Sequence, residues 1–169
     1  LLSATAYENG RMLAVKPDEN LYGAELVVNG AFAINTTGWL STTYNSTLSI
    51  VSGKLSIVNT GSSGRTMQGI TTIIGKTYLF TGDVTNVDNA GGINLKISNS
   101  INLDSAYYNS AYNTTTSSVT YTHTFVATST TTYIGSNQLG AVGNTGYLDN
   151  ISVKEDLSGD FTFSRNSAA

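Results

Sequence analysis

Residues 119–126 read Val-Thr-Tyr-Thr-His-Thr-Phe-Val, and this stretch decides the class of fold. Successive side chains of a β-strand point to opposite faces of the sheet. Val119, Tyr121, His123 and Phe125 therefore share one face, and the three threonines share the other face with Val126. β-Branched and aromatic residues also favour strands. The stretch predicts a β-strand with one apolar face turned towards a core.

Similar short strand signals recur along the chain, separated by turns rich in Gly, Asn, Ser and Thr. They lie at Leu48–Val51, Lys54–Val58, Met67–Ile70, Ile73–Lys76, Thr77–Val84, Ile93–Ile97, Thr131–Gly135 and Tyr147–Lys154. The first two are separated by Ser52-Gly53, which predicts a tight hairpin. Helical spacing of apolar residues is almost absent. The pattern predicts an all-β protein, an antiparallel sandwich of two sheets.

Composition excludes several functional classes. The 169 residues include 25 Thr, 20 Ser, 17 Asn and 17 Gly, and 11% are charged, with a formal net charge of −3. An acidic chain with scattered Lys and Arg offers no basic stripe for a phosphate backbone, so nucleic-acid binding is not expected. No apolar run reaches the roughly 20 residues that a membrane span needs. The chain has no cysteine for a disulfide or a thiolate zinc site.

The order of motifs from Glu25 to Glu155 resembles that of galactose-binding-like β-jelly-roll modules, which include many carbohydrate-binding modules of glycoside hydrolases. The motifs are Leu26–Phe32, Gly38-Trp39, Gly75–Phe80, Thr124–Thr132 and the closing Gly146–Val153. The resemblance implies a jelly roll over residues 25–155, with its first and last strands side by side. A non-enzymatic, glycan-binding module is then expected, and Trp39 is expected to close one edge of the core.

The flanks, residues 1–24 and 156–169, carry a second resemblance. Gly10–Pro17 and Asp156–Ala169 look like a sequence common in tailed-phage virion proteins. The resemblance implies a jelly roll inserted in a larger structural protein. The flanks are too short to be stable alone, so we expect them to pair with each other, with further parts of the chain or with other virion subunits.

A tyrosine-rich segment contains most of the candidate glycan-binding residues. Aromatic faces stack on sugar rings, while amides and carboxylates bind the hydroxyl groups. The candidates are Tyr107, Tyr108, Tyr112, Asn109, Asn113 and Asp104, with Tyr44 as a separate candidate beyond Trp39. The alternative is a loop that packs on the sandwich or against a neighbouring subunit.

Asp149 matches the calcium-ligand position of related modules, but the opening motif has Ala31 and Ala33 where acids are common. Calcium needs several oxygen ligands. We therefore expect no metal, with calcium bound at Asp149 as the alternative, and we expect Asp149 to anchor the first strand to the last through hydrogen bonds. A regular strand would place Asp149 on the face of Ile151 and Val153. His123, the only histidine, is expected to be half-buried and hydrogen-bonded, with no catalytic role.

The first functional hypothesis is a non-enzymatic virion protein on the phage particle surface, such as a head or tail fibre or a capsid decoration. It would form homo-oligomers, contact other virion subunits and adhere to cell-surface glycans of the host. A purely structural module that joins subunits is the second hypothesis. The third is the binding module of a secreted glycoside hydrolase.

Overall fold

The computed structural model describes residues 21–41, 45–88 and 90–158, and the backbone alone of residues 5–8 and 11–14. The described residues form twelve strands and no helix. The strands are β1 (Thr5–Glu8), β2 (Arg11–Ala14), β3 (Tyr22–Glu25), β4 (Ser46–Val51), β5 (Lys54–Asn59), β6 (Ser63–Thr71), β7 (Thr77–Asn86), β8 (Gly92–Ser98), β9 (Tyr108–Asn109), β10 (Val119–Val126), β11 (Thr131–Leu139) and β12 (Thr145–Asp156). Within these ranges, no helix exists that could cross a membrane.

Two antiparallel sheets form the sandwich. The first sheet has the order β10-β7-β12-β5-β4, with β3 paired to β12, and the second has the order β6-β11-β8-β9. Each strand pair in both sheets is antiparallel. The architecture confirms the predicted all-β, two-sheet jelly-roll sandwich.

The core lies between the inner faces of the two sheets. Its fully buried side chains include Leu55 and Leu148 from the first sheet and Leu95, Ile97 and Ile134 from the second. The strand β10 alternates as predicted, with Phe125 buried and the threonines exposed. Val119, Tyr121 and His123 are only half-buried because β10 is the edge strand of its sheet.

The predicted hairpin is present as β4 and β5. Ser52 and Gly53 join the two strands, and both have positive φ, 51° at Ser52 and 74° at Gly53. Positive φ at both central residues is the property of the hairpin turn that matches the twist of the strands. The prediction of a strand at Ile73–Lys76 is wrong, because these residues form a turn in which the Lys76 N–H donates to the Ile73 carbonyl.

The first and last strands of the sandwich lie side by side, as expected. In the pairing of β3 with β12, Glu25 lies opposite Lys154 and Tyr22 lies opposite Asp156. In the N-terminal flank, β1 and β2 pair with each other. Residues 159–169, with Phe161 and Phe163, lie outside the described residues, so the pairing of that flank stays a prediction.

The closing strand departs from regular alternation at Asn150. The pairing register of β12 with β7 shifts between Asp149 and Ser152, and Asn150 has a φ of 50°. This bulge places Leu148 and Ile151, three residues apart, in the same core, together with Val153. The prediction that Asp149 shares a face with Ile151 and Val153 is therefore wrong.

Candidate functional site

Three of the sequence-predicted site residues, Asp104, Asn109 and Tyr112, lie on or next to the outer face of the second sheet. Along β8, Leu95 and Ile97 point into the core, so Asn94 and Lys96 point outward. Along β11, Ile134 points into the core, so Asn137 points outward next to Asn94. This outward surface of β6, β11, β8 and β9 is called the outer face below.

The tyrosine-rich segment runs along the edge of the second sheet, where its residues alternate between two sides. Asn109 pairs with Lys96 and thus lies on the outer face. Tyr112 also lies on the outer face. Gly92 faces outward like Asn94 on the same strand, and the Tyr112 Cβ would be the nearest neighbour of a Cβ added to Gly92. Tyr112 is 38% exposed. The outer face therefore combines an exposed aromatic ring with an exposed amide.

Three other members of the segment lie away from the outer face, and of these Tyr107 is 41% exposed, Tyr108 is half-buried and Asn113 is buried. Tyr108 stacks on His123, with ring centroids 3.8 Å apart and an interplanar angle of 11°. Tyr107 lies 5.9 Å from the Phe125 ring. Asn113 is buried, and its amide nitrogen donates to two backbone carbonyls while its oxygen accepts from Thr115. The segment is thus divided between two surfaces, and the three tyrosines do not form one platform.

The His123 imidazole is half-buried, as expected, but it is held by the ring stack. Within the described part of the chain it makes no hydrogen bond, contrary to expectation. Partial burial lowers the pKa of His123 below its ordinary value of 6.5, because desolvation penalises the charged form. Burial likewise raises the pKa of Tyr108, and the nearby Tyr121 acts in the same direction.

A hydrogen-bonded row orients Tyr112 on the outer face. The Asn137 amide nitrogen donates to the Tyr112 hydroxyl oxygen at 3.0 Å. The Ser63 hydroxyl donates to the Asn137 side-chain oxygen at 2.5 Å. Because the Asn137 side chain has a partner at each end, the Tyr112 ring is held at one position instead of moving freely. Sequence reasoning did not identify Ser63 or Asn137, since they come from distant strands.

A loop of residues 99–105 lies against the same face. The Arg65 guanidinium donates to the Asn102 carbonyl and forms an ion pair with Asp104, with 2.8 Å between Nη1 and Oδ1. Leu103 is fully buried next to Gly135, where a Cβ would come within 2.9 Å of the Leu103 side chain. A glycine at this position of β11 therefore makes room for the Thr66 carbonyl oxygen, 2.0 Å from that Cβ position, and for the loop.

Two cations and one acid lie together on the outer face. Partial burial and the nearby Arg65 charge lower the pKa of Lys96, while Asp104 acts in the opposite direction. In the described ranges, Lys96 forms no ion pair. Among the described residues, Lys96 and Arg65 together with Asp104 give this face a net charge of plus one.

The anchor between the first and last strands is Glu25, not Asp149 as predicted. The Glu25 carboxylate accepts from the Val27 N–H at 3.0 Å, the Val153 N–H at 2.9 Å and the Ser152 hydroxyl at 2.5 Å. Within the described ranges, the Asp149 carboxylate accepts one hydrogen bond, from the adjacent Asn150 N–H at 2.8 Å. Glu25 was missed because it lies at the boundary of the opening motif, and its partners follow a bulge that the sequence did not predict.

An open cavity of about 490 Å³ adjoins this anchor and is lined by Glu25, Ala31, Ala33, Asn150 and Lys154, among others. Over the described ranges, no group of three His, Cys, Asp or Glu side chains could hold a metal ion.

Trp39 is buried, as expected, and packs on Phe32 with ring centroids 5.2 Å apart. It belongs to the core cluster between the sheets, which fits its predicted structural role. Tyr44 lies outside the described residues, so its candidacy stays a prediction.

The fold is similar to that of several solved structures. A family 4 carbohydrate-binding module is 22% identical, with 76% of this chain and 98% of that chain covered at a TM-score of 0.56. The CBM22-1 xylan-binding domain from Paenibacillus barcinonensis Xyn10C is 13% identical, with coverages of 81% and 97% and a TM-score of 0.55.

A third similar structure is the enzymatically active domain of tailspike protein 4 from bacteriophage CBA120, which is 13% identical with a TM-score of 0.57. The match covers 78% of this chain and 21% of that one. No protein-family model matches the sequence, and no curated protein matches it. The similarities to solved structures show that the chain has the jelly-roll fold of carbohydrate-binding modules.

Proposed function

We propose that the chain is a non-catalytic glycan-binding module and that its binding surface is the outer face of the second sheet. The observation that carries the proposal is the Tyr112 ring, which is exposed and held in place by Asn137, on the same face as Asn109, Lys96 and Arg65. A fixed aromatic ring offers a stacking surface for a sugar at little entropic cost, and the adjacent amides and charges can bind its hydroxyl groups.

A glycan array with the full 169-residue chain tests this proposal. We expect binding to at least one polysaccharide class, and we expect Tyr112→Ala to reduce that binding at least tenfold. Tyr147→Ala is the matched control, because Tyr147 precedes the buried Leu148 on β12 and lies on the outer surface of the first sheet. Loss of binding in Tyr147→Ala alone would move the site to the other sheet. No binding to any glycan would contradict the proposal.

We further propose that the module is part of a phage virion protein that forms homo-oligomers on the particle surface. The fold similarity to a domain of a phage tailspike protein supports this context, together with the virion-like sequences of the flanks. Antibodies against the chain should label phage particles from the strain that carries the gene. Detection only in a larger secreted polypeptide would instead favour a module of a glycoside hydrolase.

A purely structural role remains the competing proposal for a virion protein. Its supporting observation is that Tyr107 and Tyr108 pack on Phe125 and His123, as residues of a packing segment would. Light scattering and the glycan array together separate the two roles. An oligomer without glycan binding would favour the structural role.

A further inference from the structure

The charge of the outer face is opposite in sign to that of the whole chain. The chain has a formal net charge of −3, yet Arg65 and Lys96 lie on this face with Asp104 as the acid that interacts with both. A neutral sugar needs no such excess of positive charge. The chemical class of the ligand is therefore inferred from these two cationic side chains.

Arg65 keeps binding capacity after its structural contacts are made. Both of its contacts in the described part of the chain use Nη1, which donates to the Asn102 carbonyl and to Asp104. A guanidinium has five N–H groups in a fixed planar fork. The N–H groups of Nε and Nη2 are thus left for a second acceptor, and the Arg65 side chain is 30% exposed. The ion pair with Asp104 holds the guanidinium in one orientation.

Lys96 supplies the second charge from the neighbouring part of the sheet. It projects from β8 between its partners Asn109 on β9 and Gly135 on β11. Its ammonium group is partly desolvated and feels the Asp104 charge, but among the described residues it forms no ion pair. A partly desolvated, unpaired cation is stabilised by an anion that arrives with a ligand.

We propose that the ligand of this face is an acidic oligosaccharide, whose carboxylate binds at Arg65 and Lys96 while a neighbouring sugar ring stacks on Tyr112. This inference rests on the glycan-binding function proposed above and adds the chemical class of the ligand. Arg65 provides planar, fork-shaped donors that suit a carboxylate, and Lys96 provides a point charge. The hydrogen bond from Asn137 to Tyr112 fixes the stacking ring on the same face.

Isothermal titration of the full chain with matched glycan pairs tests the class of ligand. The probes are tetragalacturonic acid, a hyaluronan tetrasaccharide and sialyllactose, each compared with its carboxyl-reduced neutral counterpart. We expect at least one acidic probe to bind ten or more times tighter than its neutral counterpart in 20 mM salt. That advantage should shrink in 500 mM salt, because screening weakens the charge contact.

Lys96→Met isolates the charge, since it keeps much of the side-chain length and leaves the Arg65–Asp104 pair in place. We expect it to weaken binding of the acidic probe about fivefold or more, and by a larger factor than it weakens binding of the neutral counterpart. Lys54→Met, at the hairpin of the first sheet, is the matched control. Equal binding of acidic and neutral probes, or unchanged acidic binding in Lys96→Met, would overturn this inference alone. Absence of binding to every glycan would overturn the proposed function as well.

Discussion

Removing the Glu25 carboxylate tests how the two ends of the jelly roll are held together. Glu25→Ala deletes three hydrogen bonds, to the backbone N–H groups of Val27 and Val153 and to the Ser152 hydroxyl. A net hydrogen bond to a charged group is worth about 1.5–3 kcal/mol, and the exposed position of Glu25 puts these bonds at or below the low end of that range. We expect a loss of about 2–4 kcal/mol in the free energy of unfolding.

Urea denaturation and thermal melts of the wild type and the variant measure this loss. For a chain of this size, about 2–4 kcal/mol corresponds to a Tm lower by about 4–16 °C. Glu25→Gln retains one acceptor oxygen, so we expect an intermediate loss. The free energy should fall without a change in the urea m-value, because the variant does not alter the extent of the fold.

Asp149→Ala is the matched control for Glu25→Ala. The Asp149 carboxylate accepts a single local hydrogen bond and lies opposite Asp83 in the sheet, so its removal also relieves a like-charge pair. We expect a change below about 1 kcal/mol. If Asp149→Ala cost as much stability as Glu25→Ala, the assignment of the anchor to Glu25 would be refuted.

Three further predictions concern other parts of the fold. Gly30→Ala should destabilise the chain by about 2–4 kcal/mol in urea melts, because the added Cβ would lie 1.9 Å from the Ile151 carbonyl oxygen; Gly23→Ala, with no atom nearer than 3.3 Å, should change little. The wild type should lose stability as the pH falls from 6.5, the ordinary pKa of histidine, towards the lowered pKa of His123 in the folded state, because mainly the unfolded chain binds the proton in that range. His123→Phe should remove this loss. Parallel pH profiles of Tm for the two proteins would contradict this prediction. Calcium and a chelator should leave the Tm within about 1 °C of each other, and a large calcium-dependent increase would reveal a metal site.

The candidate site could be predicted only in part from the sequence. The segment 104–113 was identified from its composition, and Tyr112, Asn109 and Asp104 do lie on or next to the outer face. Ser63 and Asn137 are 74 residues apart in the chain and meet only through the pairing of β6 with β11. No local pattern indicates which of the many serines and asparagines will become such neighbours.

The sequence by itself determined the elements whose cause is local. Alternation in β10 follows from the two-residue period of a strand, and the Ser52-Gly53 turn follows from the ease with which Gly53 adopts positive φ. These features depend on contacts within a few residues. Composition adds that an apolar face of each strand must be covered by another sheet.

Only the tertiary structure decided the features that depend on distant partners. The bulge at Asn150 exchanges regular pairing for the burial of Ile151 with Leu148, and that benefit exists only when the facing sheet is in place. The orientation of Tyr112 depends in the same way on Asn137 from another strand. A two-residue period states which neighbours alternate, but the packed sheets decide which side is buried and where the alternation is interrupted.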